Sequence, residues 1–168
     1  MNHAPVPAPH YIQRETLLGC AINAAIALFF AALLFHDAAI IPLWGTKGIA
    51  IDLIPTVFML TLFGSLAISL LTRQRVRLGR IAAPQARPSS WIVALASLPL
   101  AARTLIVAVL MTVVLVPATC LALMTLAVDT LAFWPFVAFK MVYAALVGAV
   151  SAPWILKAAL TASERSPT

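Results

Sequence analysis

The chain has 168 residues, of which 63% are hydrophobic and 10% charged, with a mean hydropathy of +1.05. Soluble domains carry roughly a quarter charged residues, so a soluble fold of this size is excluded and the bilayer is the solvent for much of the surface. The net charge is +6, but the arginines gather in one connecting segment without interleaved aromatics, which argues against a nucleic-acid partner.

Residues 1–14 read as a disordered tail, since the first twelve contain three prolines and two histidines. A first span is expected over about 15–35, because some 20 apolar residues at 1.5 Å each cross a hydrocarbon core of about 30 Å. Leu17-Leu18-Gly19-Cys20 resembles a lipidation box, but the apolar stretch follows it instead of preceding it, and neither lipidation nor cleavage is expected. Cys20 and Cys120 lie in separate apolar runs and read as small buried side chains.

A connector with Pro42, Trp44, Gly45 and Gly48 leads to a second span at about 51–72, with Pro55 near its first turn and Asp52 able to accept from free N–H groups there. Residues 73–90 read as a polar loop carrying Arg73, Arg75, Arg77, Arg80 and Arg87. The apolar run from Trp91 to Ala127 is too long for one span. Pro99 divides it into an interfacial segment, 91–98, and a third span, 99–126, capped by Ser97. Arg103 is expected to snorkel from this span to the headgroups. Pro117 should kink it, with Thr119 or a neighbouring helix serving the freed carbonyl. Asp129 and Thr130 form a turn before a fourth span at 135–157, and 159–168 is a polar tail.

The expected fold is therefore all-α: an integral membrane four-helix bundle within 15–158. Nine of the eleven Lys and Arg residues (Arg14, Arg73, Arg75, Arg77, Arg80, Arg87, Arg103, Lys157 and Arg165) fall on the side of the termini and the arginine loop. The positive-inside rule places that side in the cytoplasm of a cell (inner) membrane. Trp44 and Trp134 then mark the outer interface, and Trp91 and Trp154 the inner one. The halves share a pattern: Gly64 stands nine residues before Arg73, and Gly148 nine before Lys157. This predicts two tandem two-span repeats in parallel orientation, related by an axis along the membrane normal.

Few polar residues enter the spans. Small residues recur in rows, Gly19, Ala27 and Ala31 with Asn23, and Ala144, Gly148 and Ala152, which lets helices approach closely. Asn23 is expected to make an interhelical hydrogen bond, with a substrate path as the alternative. Lys140 lies about two turns into the fourth span. It either snorkels outward or forms a functional pair with Asp52 or Asp129 at the outer end. His36, Asp37, Asp52 and Asp129 lack any recognised metal-ligand spacing, so capping and solvation are expected. The arginine loop serves as topology determinant and as a contact for anionic lipid headgroups. No phosphate loop, His-Glu-x-x-His or Gly-x-Ser-x-Gly occurs, so neither an enzyme nor a cofactor is expected. The leading expectation is a non-enzymatic structural or accessory membrane component in a larger membrane complex or homo-oligomer. The competing one is a small transporter or exporter using Lys140 with an outer-side acid.

Overall fold

The computed structural model describes residues 7–81 and 89–164. Its long elements are helices because a spanning backbone without water must satisfy its own N–H and C=O groups. The order is α1 (Ala8–Phe35), β1 (Ile40–Pro42), α2 (Ile49–Arg77), α3 (Ser90–Ser97), α4 (Leu100–Thr125), β2 (Thr130–Ala132) and α5 (Phe133–Glu164). Among them α1, α2, α4 and α5 are long and apolar enough to cross a membrane. They form a four-helix membrane bundle.

Several boundaries differ from expectation. Helix α1 begins at Ala8, so residues 8–14 are ordered helix and not tail. Tyr11 holds that first turn by hydrogen bonding through its hydroxyl to Thr72 Oγ1 at 2.9 Å. Helix α2 continues to Arg77, which moves Arg73, Arg75 and Arg77 from loop onto helix. Helix α5 continues to Glu164, with Leu156, Ala158, Ala159 and Leu160 buried, so the tail begins later than 159. Pro55 is the seventh residue of α2, two residues deeper than expected. The short α3 occupies the stretch that Pro99 is expected to set apart from the third span, but Ser97 does not cap α4. Its hydroxyl donates to the Ala94 carbonyl at 2.7 Å, and Pro99 takes the capping position. Helix α4 runs through Pro117, and Thr119 donates to Leu115 O at 2.7 Å instead of serving the carbonyl of Val113, the one that Pro117 leaves free.

Helices α2 and α4 end in the same way. At the end of α4 the Ala127 N–H donates to Met124 O and the Val128 N–H to Leu123 O. At the end of α2 Gly79 and Arg80 repeat this with Val76 and Arg75. Both are Schellman motifs. The left-handed residue is Gly79 in one, with φ 65°, and Ala127 in the other, with φ 52°.

The two halves are related by a pseudo-twofold axis. Helix α1 packs on α5 and α2 packs on α4, while α2 and α5 meet across the axis. The pairs α1–α2 and α4–α5 barely touch. The connectors, not expected to be regular, pair as an antiparallel ribbon with Ile41 opposite Leu131, flanked by Ile40–Ala132 and Pro42–Thr130. That register is symmetric if Ile41 is equivalent to Leu131. The flanking bonds agree: Leu43 N–H donates to Asp129 O at 2.7 Å, and its counterpart Phe133 N–H donates to Ala39 O at 3.3 Å. The sequence spacing of 84 relates α2 to α5, whereas 90 relates α1 to α4. The first connector, 36–48, is six residues longer than the second, 126–132. The exchange of α1 with α4 and of α2 with α5 in these contacts is the pattern expected of a tandem repeat.

Candidate functional site

The small-residue rows of α1 and α5 face each other. Ala27, Ala31, Ala144 and Ala152 are buried. A Cβ added to Gly148 would lie 2.9 Å from Asn23 Nδ2 and 3.5 Å from the Cys20 backbone. This close approach lets Asn23 Nδ2 donate to the Ala144 carbonyl at 3.4 Å. Asn23 therefore makes an interhelical contact and is not among the residues lining the cleft described below.

At the end of the bundle that carries the termini, α1 and α2 are clamped. Besides Tyr11 and Thr72, Arg75 donates to Glu15 and lies 5.4 Å from the Tyr11 ring centroid. Arg75 is thus committed to a partner within the chain. Arg73 is half-buried, Arg77 and Arg80 are exposed, and Arg87 lies outside the described residues. Arg103 departs most from expectation. It does not snorkel outward but is 2% exposed, donating to Ser69 Oγ at 3.0 Å and Ala158 O at 3.4 Å. The small side chains at 69 and 158 leave room for the guanidinium between α2, α4 and α5. Its Nε has no hydrogen-bond partner among the described residues.

Toward the connector end, α1 and α2 separate and leave a cleft of about 210 Å³ floored by α5. Ile26, Ala27, Phe30 and Leu34 of α1 form one wall, and Pro55, Thr56, Met59 and Leu60 of α2 the other. Its charged feature is one ion pair. Lys140 Nζ, from α5, lies 2.8 Å from both Asp52 carboxylate oxygens, and the two side chains are 1% and 8% exposed. The hydrogen bond runs to Oδ1, and Oδ2 meets the same ammonium as an ionic contact. The ammonium also lies 5.7 Å from the ring centroids of Phe35 and Phe136. Lys140 therefore neither snorkels nor meets Asp129, which is exposed in the connector. Asp52 spends its carboxylate on Lys140 and not on the free N–H groups of α2.

Burying two charges is costly unless they meet in good geometry. In hydrocarbon the alternative for Lys140 is an isolated ammonium, so the pair ties α2 to α5 strongly. The remaining ionisable groups of the connector end do not converge. His36 Nε2 lies 3.0 Å from the adjacent Asp37 with both side chains largely exposed, and no group of three metal-ligating side chains forms among the described residues.

Phe35 and Phe136 were not singled out in the sequence, nor was the Ser69 contact to Arg103. An aromatic or serine in an apolar span carries no signal until a cation is placed beside it. No protein-family model, curated protein or solved structure matches the chain.

Proposed function

We propose that this chain is a non-enzymatic structural or accessory component of a cell (inner) membrane, inserted with both termini and the arginine-bearing end in the cytoplasm. The observation that carries the reading is the state of the intramembrane cations. Lys140 ends on Asp52 and Arg103 on Ser69 and Ala158, so each joins helices inside the chain instead of presenting a free charge to a path. Charge bias supports the orientation, and Arg77 and Arg80 remain exposed for anionic headgroups. Large apolar side chains on α1 and α4, among them Phe29, Leu33, Val113 and Leu121, offer faces to lipid or to a neighbouring subunit.

Site-specific photo-crosslinking from Leu33 and Val113 in native membranes, with mass spectrometry of the products, tests this. One membrane protein, or a second copy of this chain, captured at either position supports the reading. Lipid adducts alone at both positions reject it.

The second reading, a small transporter, is favoured by the cleft that opens beside the Lys140–Asp52 pair. It requires flux in proteoliposomes that is lost with Lys140→Met. Flux that persists in that variant removes the role assigned to Lys140.

A further inference from the structure

The cleft between α1 and α2 has a counterpart, related by the pseudo-twofold axis, between α4 and α5. Positions 26 and 30 correspond to Val116 and Cys120, and Pro55 and Met59 to Phe139 and Tyr143. Phe139 and Tyr143 stack with ring centroids 5.8 Å apart and planes 15° apart. Val116, Cys120 and Tyr143 are buried. Two aromatic rings thus occupy the second cleft, where the first has a proline and a flexible methionine and leaves Phe30 45% exposed. Packing alone does not require the first cleft to be empty, since the same backbone arrangement is filled on the other side.

We propose that the α1–α2 cleft binds a neutral lipophilic phenol, entering from the bilayer, whose ring takes the volume that the aromatic side chains take in the other half. Three observations select this chemistry. The walls are apolar apart from Thr56, and a cavity of about 150 Å³ accommodates benzene, so 210 Å³ holds one substituted ring. The Asp52 carboxylate is among the groups lining the cleft, and its oxygens share a single ammonium at 2.8 Å, so a lone pair is left to accept from a hydroxyl. The pair is neutral as a whole, so a charged ligand would leave a net charge in hydrocarbon, whereas a neutral one would not. The hydroxyl donates to the Asp52 carboxylate while Lys140 stays paired with it, and any tail extends into lipid past Phe30 and Leu34.

The test uses the full chain in lipid nanodiscs, with 4-fluorophenol and 4-fluorotoluene as probes followed by fluorine NMR. It needs only the purified chain, so its result is independent of the crosslinking that tests the accessory reading. 4-Fluorophenol should bind saturably and about tenfold more tightly than 4-fluorotoluene, after correction for partition into lipid, as expected for one buried hydrogen bond. Met59→Phe, which places a ring where Tyr143 stands in the other half, should abolish saturable binding. Ile26→Phe closes the cleft from α1 and should act alike if Met59→Phe folds poorly. Equal binding of the two probes, the behaviour of a space filled by any acyl chain, overturns the proposal. So does binding that survives in a folded cleft-filling variant.

Discussion

Lys140 on α5 and Asp52 on α2 are 88 residues apart in sequence and meet at 2.8 Å where α5 packs on α2. No charged pair stands at their symmetry-related positions, which are Thr56 and Phe136. The pair breaks the likeness of the two halves at the place where α2 and α5 cross.

Removing one partner leaves the other as an uncompensated buried charge. Lys140→Met or Asp52→Leu alone should each cost about 3–5 kcal/mol. The double variant should recover most of that loss, because an apolar pair of similar volume suits the site. A double-mutant cycle of thermal or denaturant unfolding in lipid nanodiscs measures the coupling. Additive losses would mean that the pair does not act as a unit.

Arg103 is predicted to behave in the opposite way. Its guanidinium is buried with two hydrogen bonds, an unpartnered Nε and no carboxylate in contact among the described residues. Methionine in its place orphans nothing, since Ser69 can turn its hydroxyl to its own helix and Ala158 O lies within α5. Arg103→Met should raise stability, on the order of 1 kcal/mol. A marked loss in the same unfolding assay would show that the guanidinium holds α2, α4 and α5 together.

Ala127 occupies at the end of α4 the left-handed position that Gly79 fills at the end of α2. Ala127→Gly removes a Cβ from a strained conformation and should stabilise by about 0.5–1 kcal/mol. Gly79→Ala should destabilise by a similar amount. Equal and opposite shifts in unfolding midpoint check both, and no change in either would contradict the strain argument.

The Asn23 contact to Ala144 is long, at 3.4 Å, and interhelical hydrogen bonds in membranes average about 0.6 kcal/mol. Asn23→Ala should therefore cost less than about 1 kcal/mol. Gly148→Ala forces the amide aside at 2.9 Å, so it should be milder in the Asn23→Ala background than alone. Strict additivity would place the two residues out of contact.

Periodic and compositional features are legible in the sequence. Long apolar runs predicted four spans, because a membrane interior admits few other solutions. Pro99 and the tryptophans located the awkward third segment, and the shared spacing of Gly64 and Gly148 pointed to the repeat. The terminal boundaries are not legible there. Tyr11 and Glu15 look like tail residues until Thr72 and Arg75 are set opposite them. The offset of 84 missed α1 and α4 because the longer first connector shifts the register.

Composition and charge by themselves determined that this is a helical, four-span chain with a strong sign bias between its two ends, since transfer of polar groups into hydrocarbon is costly whatever the fold. Only the tertiary structure decided where the few polar groups go. Lys140 could have snorkelled or met Asp129, and Arg103 could have reached the headgroups. Each instead turns inward, because the packing of α5 against α2, and of α4 against α2, brings a carboxylate or a hydroxyl within 3 Å. Those pairings link residues 88 and 34 positions apart, a relation that exists only once the helices have been set side by side. The cleft has the same origin, as a gap between two helices clamped at one end, with no trace in either helix alone.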